Sequence, residues 1–187
     1  MRVIGGEFRS RVLKTLPGLD VRPTPDRLRE TLFNILAPRI AGAIFADVYA
    51  GSGSVGIEAL SRGATRAIFV EQNRAAANVI RENLRSLGID PRAELLQSRA
   101  AIAIPNIRAE IVFLDPPYEA AQEYQKSLAA LSEHPPDLVI VQHFTKLDLL
   151  DDYGPLHRTR VLKQGQNALS FYSQEGDGPA NAPAAGT

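Results

Sequence analysis

Two hydrophobic rhythms run along this 187-residue chain. From Ala43 onward, short apolar runs rich in β-branched and aromatic residues predict strands at 44–49, 66–71, 93–97, 111–114 and 138–142. Between them, apolar positions recurring every three or four residues predict helices at 54–62, 73–87 and 122–131, with a short helical turn after the third strand. Gly63 and Gly88 stop the first two helices. Strand-helix alternation of this kind builds a parallel, doubly wound sheet with helices on both faces. Near the end the rhythm breaks. Residues 159–163 and 168–172 read as strands separated only by Gln164-Gly165-Gln166-Asn167, a loop too short for a crossover helix, so the pair runs antiparallel.

The first part of the chain is patterned differently. Residues 1–4 and 11–13 read as short strands joined through Gly5-Gly6, a hairpin-like extension. Thr24 is placed to cap a helix and Pro25 to open it, with Leu28, Leu32, Ile35 and Leu36 on one face and an end before Pro38. The expected organisation is a basic extension and helix over 1–39, one α/β domain over 40–174, and a Gly-, Ala- and Pro-rich tail over 175–187 expected to be disordered.

Composition excludes several chemistries. With no cysteine there is no disulfide, thiolate metal site or thiol nucleophile. The three histidines, His134, His143 and His157, have no metal-ligand spacing. No run has the length of a signal-peptide core or a membrane span, so a cytoplasmic protein, acting away from membranes, is expected. Formal net charge is zero, but residues 1–39 hold eight basic side chains against four acids. A basic arm on a mildly acidic body suits a polyanionic partner.

Two strand ends carry candidate chemistry. The buried strand at 111–114 stops at Asp115-Pro116-Pro117-Tyr118, where two prolines forbid both a continued ladder and an immediate helix. A carboxylate, proline carbonyls with no helix or sheet to bond them, and an aromatic ring are thus held at a strand's carboxyl edge, where open α/β sheets bind ligands. After the first strand, Gly51-Ser52-Gly53-Ser54-Val55-Gly56 satisfies a G-x-G-x-x-G spacing. Glu71 ends the second strand, positioned to accept hydrogen bonds from ribose hydroxyls. These features point to an adenosine-containing ligand. The absence of a hydride-relay His or Lys after the fourth strand, and the terminal hairpin, favour S-adenosylmethionine over a nicotinamide dinucleotide.

Together, Val21-Arg22-Pro23-Thr24, Arg29-Glu30-Thr31-Leu32-Phe33-Asn34-Ile35-Leu36, Tyr49-Ala50-Gly51-Ser52-Gly53, Glu58-Ala59-Leu60-Ser61-Arg62-Gly63-Ala64 and Asp115-Pro116-Pro117-Tyr118 resemble the bacterial 16S rRNA guanine-N2 methyltransferase family. The resemblance runs from Met1 to about Tyr172. It implies a Rossmann-like, seven-stranded class I methyltransferase fold, mostly parallel with a C-terminal antiparallel strand, behind a small N-terminal hairpin and helix. It also implies that Asp47, Ala50, Gly51, Ser52 and Gly53 hold the methionine part of S-adenosyl-L-methionine, with Glu71 and its neighbour Gln72 at the ribose. Two positions depart from the family pattern: Arg99 and Gln142 stand where acids are usual.

An exocyclic base amine is a poor nucleophile because its lone pair is delocalised into the ring. An Asp carboxylate, ordinarily of pKa about 3.9, cannot strip its proton outright, but can accept a hydrogen bond from it, as can a proline carbonyl. Asp115, Pro116, Pro117 and Tyr118 are the catalytic candidates, with Tyr118 stacking on a flipped base. Arg9, Arg11, Arg22, Thr24 and Arg27 are the candidates for contacts to 16S rRNA in the small ribosomal subunit. A monomer is expected. Alternatives on the same fold are a DNA adenine-N6 or protein-glutamine methyltransferase, and a catalytically silent RNA-binding assembly factor.

Overall fold

A computed structural model describes residues 1–16, 26–117 and 120–174. The strands are β1 (Ile44–Val48), β2 (Arg66–Val70), β3 (Ala93–Leu96), β4 (Ile111–Leu114), β5 (Leu138–Phe144), β6 (Asp152–Tyr153), β7 (Leu156–Gln164) and β8 (Asn167–Ser173). The helices are α1 (Asp26–Ile40), α2 (Ser54–Ser61), α3 (Arg74–Leu87), the single turn α4 (Ala100–Ala103) and α5 (Ala121–Glu133). Among the described residues the strands form one sheet in the order β3-β2-β1-β4-β5-β8-β7-β6. β1 to β5 are mutually parallel, and β8 enters antiparallel beside β5. That is the mostly parallel sheet with a reversed strand expected from the sequence, plus the two-residue β6 at its edge.

Strand order reverses between β1 and β4, which lie in register with Asp47 opposite Phe113 and Val48 opposite Leu114. Their carboxyl ends open the crevice that such sheets use for ligands. Helix α3 shows how local chemistry sets the elements. Asn73 accepts hydrogen bonds from the Ala75 and Ala76 N–H groups at 2.9 and 3.1 Å, and Gly88 closes the helix at φ 69°. On one face of the sheet, Leu32 and Phe33 of α1 pack with Phe45, Phe113, Ile140 and Phe171. On the other, Tyr124 and Leu128 of α5 pack with Val48, Val112, Leu114 and Val141.

Three expectations need correction. α1 continues through Pro38 to Ile40. Asn34 and Pro38 both face solvent, so water can satisfy the carbonyl that loses its partner, and buried Ile40 anchors the last turn. The N-terminal hairpin is reduced to one bridge, between Arg2 and Val12. The ladder stops there because residues 5–10 already turn the chain back, with Ser10 N–H on the Val3 carbonyl at 2.9 Å, and the N–H groups of Ile4 and Gly5 donate to the Glu58 carboxylate at 2.8 Å. The strands of the C-terminal hairpin extend to Gln164 and Asn167, leaving a two-residue turn with Gly165 at φ 62°. Thr24 and the tail beyond Gln174 lie outside the described residues.

Glu58, fully buried on α2, joins the N-terminal segment to the body. Besides the two amides it accepts from Arg62 Nε at 2.8 Å, and buried Arg29 of α1 stands 3.9 Å away. Val3 and Leu13 add an apolar seal against Ile57, Leu60 and Phe69. Removing one partner of a buried charged network costs about 3–5 kcal/mol. Glu58→Ala should lower the urea-unfolding free energy by that order and speed proteolysis within residues 1–16. An unchanged denaturation midpoint would refute the anchoring role.

Candidate active site

Loop 49–53 and strand end 115–117 meet at the β1/β4 crevice. Tyr49 leaves β1 at φ 69°, a left-handed conformation unusual for a bulky residue. It is held there: its N–H and that of Ala50 both reach the Val70 carbonyl at 3.0 Å. Its hydroxyl bonds Ser127 Oγ at 2.9 Å and donates to Glu123 at 3.2 Å on α5. Gly51 and Gly53 follow at φ 55° and 78°, turning the backbone tightly so that Gly53 N–H returns to the Ala50 carbonyl at 2.7 Å. Gly56 is needed for packing, since a Cβ there would lie 2.3 Å from the Phe69 ring.

Carboxylates surround this loop. Asp47 is buried and accepts from Gly56 N–H at 2.8 Å. Glu71, half-buried, accepts from Gly51 N–H at 2.9 Å and Asn73 N–H at 2.7 Å. Burial pushes the Asp47 carboxyl up to about 7, against the pull of the Gly56 N–H and with a further push from Glu71. Burial, and then the neighbouring Asp47 charge, raise Asp115 well above the ordinary carboxylate range. Gln142, fully buried at the matching level of β5, donates from Nε2 to Asp115 Oδ2 at 3.1 Å. Its role was not legible from the sequence. A neutral donor here steadies the catalytic candidate where an acid would add another like charge.

The proline carbonyls are not without partners, as the sequence had suggested. Pro116 accepts from the Tyr124 hydroxyl at 3.2 Å, and Pro117 from Ala120 N–H at 2.9 Å as the chain turns into α5. Each carbonyl oxygen keeps a second lone pair. Buried Pro116 is thereby fixed in orientation, while Pro117 is exposed. Tyr118, Arg22 and Thr24 lie outside the described residues. Gln72 is exposed beside Glu71, and Arg9, Arg11 and Arg27 are exposed on the N-terminal segment and α1.

Asn83, a buried residue of α3 that sequence reasoning missed, links arm to loop. Its side chain accepts from Lys14 N–H at 2.8 Å and donates to the Lys14 and Ser52 carbonyls, both at 3.1 Å. Only its polarity at an inward helical position could have marked it.

The residues present fit an adenosine-bearing cofactor. Glycines at positive φ leave backbone room at the β1 end, α2 begins directly behind them, and Glu71 supplies acceptors at the β2 end. Fold and crevice together define a class I, Rossmann-like methyltransferase. The family model described as conserved hypothetical protein 95 matches residues 1–173, and the chain belongs to that family. It is 35% identical over 190 residues to ribosomal RNA small subunit methyltransferase D of Escherichia coli, covering 97% of this chain and 94% of the relative. Among solved structures, Escherichia coli yhhF superposes with a TM-score of 0.82 at 36% identity, covering 94% of this chain and 98% of that one. A hypothetical protein of Thermus thermophilus, TTHA0928, gives 0.78 at 30% identity, covering 92% and 99%.

The raised Asp47 carboxyl has a consequence for stability. Between the unfolded value near 3.9 and about 7, the folded state holds a proton that the unfolded state has released, so stability falls as pH rises through that window. Asp47→Asn removes the titration while keeping an acceptor for Gly56. The stability of Asp47→Asn relative to the parent should therefore increase from pH 4 to pH 7.5, by on the order of 2–4 kcal/mol at about 1.4 per pH unit. Thermal melts across that range that show a constant difference would contradict it.

Proposed function

We propose that this protein transfers a methyl group from S-adenosylmethionine to the exocyclic N2 amine of a guanine in 16S rRNA of the small ribosomal subunit. The observation that carries the reading is the Asp115 carboxylate, held by Gln142 and followed by the oriented Pro116 carbonyl, at the end of β4 beside the glycine loop. Relatedness to ribosomal RNA small subunit methyltransferase D supports rRNA as the substrate class. The guanine and its N2 position come from the resemblance of the Arg-Pro-Thr and Glu-Ala-Leu-Ser-Arg-Gly segments.

S-Adenosylmethionine, when bound, supplies an electrophilic methyl on a sulfonium centre. Ala50 to Gly53 would hold its methionine end, and Glu71 would accept from the ribose hydroxyls with lone pairs left by the Gly51 and Asn73 amides. Asp47 keeps the loop in shape through Gly56. At the substrate, Asp115 and the free lone pair of the Pro116 carbonyl accept the two amine hydrogens. That draws the nitrogen toward tetrahedral geometry and frees its lone pair for attack. The amine proton becomes acidic only as the new N–C bond forms and the methyl–sulfur bond breaks, its electron pair leaving with a neutral thioether, and the Asp115 carboxylate then accepts the proton. A raised affinity for protons suits Asp115 to that last task, provided it is ionised when the substrate arrives. Tyr118 stacks on the base, and the arm arginines meet phosphates.

Loss of a hydrogen bond to a charged group costs about 1.5–3 kcal/mol, or some tenfold to a hundredfold in rate, and Asp115→Asn also turns a donor toward the amine. Asp115→Asn should lower turnover at least a hundredfold while S-adenosylmethionine still binds. In the parent, turnover should rise with pH as Asp115 ionises. The assay is tritiated methyl transfer to unmodified small subunits followed by nucleoside analysis. Label in N6-methyladenosine would overturn the guanine assignment, and a fully active Asp115→Asn the mechanism.

A further inference from the structure

Helix α3 carries Arg74, Asn78, Arg81 and Arg85 at spacings of four, three and four residues. At 3.6 residues per turn they fall within about 60° of arc and run some 16 Å along the helix. Arg74 and Arg85 are exposed and Arg81 half-exposed. Arg81 donates to two neutral oxygens, Asn78 Oδ1 at 2.7 Å and Gln97 Oε1 at 3.3 Å. Elsewhere Arg29, Arg62, Arg66, Arg92 and Arg158 each pair with a carboxylate, while Arg108 is held by the Pro105 and Ile107 carbonyls and Arg160 lies over the Phe171 ring. Among the described residues the three arginines of α3 have none.

The N-terminal arm continues this stripe. Arg9 and Arg11 are exposed and also lack a carboxylate partner among the described residues. Arg11 Nη2 donates to the Ser86 carbonyl at 3.0 Å, which lays the arm against the last turn of α3. At the other end Arg74 directly follows the cap Asn73, whose N–H is bound by Glu71. The stripe thus runs from the arm to the ribose-side rim of the active site.

Helix stability does not explain the pattern. Arg81 and Arg85 repel at i, i+4. Arg74 sits in a first turn with no acid, at the positive end of the helix dipole. Only Arg85, near the C-terminus, is favoured by it. An anionic partner reverses the sign of both penalties.

We propose that this face of α3, joined to Arg9 and Arg11, binds the phosphate backbone of the rRNA substrate and leads it toward the crevice. The inference rests on the rRNA reading above and adds a surface to it. Phosphate contacts are regularly spaced, sequence-independent and suited to arginine.

The test measures binding of the full chain to a small-subunit rRNA transcript over a range of salt concentrations. Neutralising three phosphate contacts with Arg74→Ala, Arg81→Ala and Arg85→Ala should flatten the slope of log affinity against log salt by about 2–3, at 0.7–0.9 per contact. The corresponding lysine variants should keep the slope, and an Arg108→Ala, Arg160→Ala control should leave it unchanged. An unchanged slope in the triple alanine variant, or an equal fall in the control, overturns the surface. A parent protein that neither binds nor methylates the rRNA defeats the functional reading instead.

Discussion

Three carboxylates, Asp47, Glu71 and Asp115, crowd the carboxyl edge of one sheet, and the surrounding structure compensates their mutual repulsion and lost hydration. Gly56 N–H answers Asp47, the Gly51 and Asn73 amides answer Glu71, and the Gln142 amide answers Asp115. Each answer fixes backbone as well as charge. Glu71 draws the glycine loop across the end of β2, while Asp47 ties the start of α2 to β1. The glycine loop is therefore shaped by the acids beneath it. Incomplete compensation leaves Asp47 and Asp115 with raised proton affinities. At Asp115 the raised affinity fits the proposed role, in which the carboxylate finally takes a proton.

The N-terminal segment is bound into the same construction at two points. Glu58 holds its first turn by the backbone, and Asn83 holds Lys14 and Ser52 with a single side chain. The arm and the glycine loop are thereby joined through one buried side chain. Tyr49 makes the corresponding link on the opposite face, from the loop to α5, which begins just beyond the Asp-Pro-Pro-Tyr turn. Arm, glycine loop and α5 thus share polar connections, while the apolar clusters pack both faces of the sheet.

The hydrophobic pattern and a few motifs determined the alternating α/β layout, the reversed C-terminal strand, the glycine loop and the position of Asp115. These follow from local rules: side-chain periodicity, proline's missing donor, and glycine's access to positive φ. What only the tertiary structure decided involves partners far apart in the chain. Gln142 reaches Asp115 because β5 lies beside β4. Even at a range of eight residues, the Pro116 carbonyl meets the Tyr124 hydroxyl only because α5 packs back on the end of β4. The Ile4 and Gly5 amides are taken by a carboxylate more than fifty residues away. Pro38 stays within α1 because its face points to water. Periodicity shows which face of an element is buried. Which polar group meets which depends on how the elements are stacked, and that is settled only once the sheet has assembled.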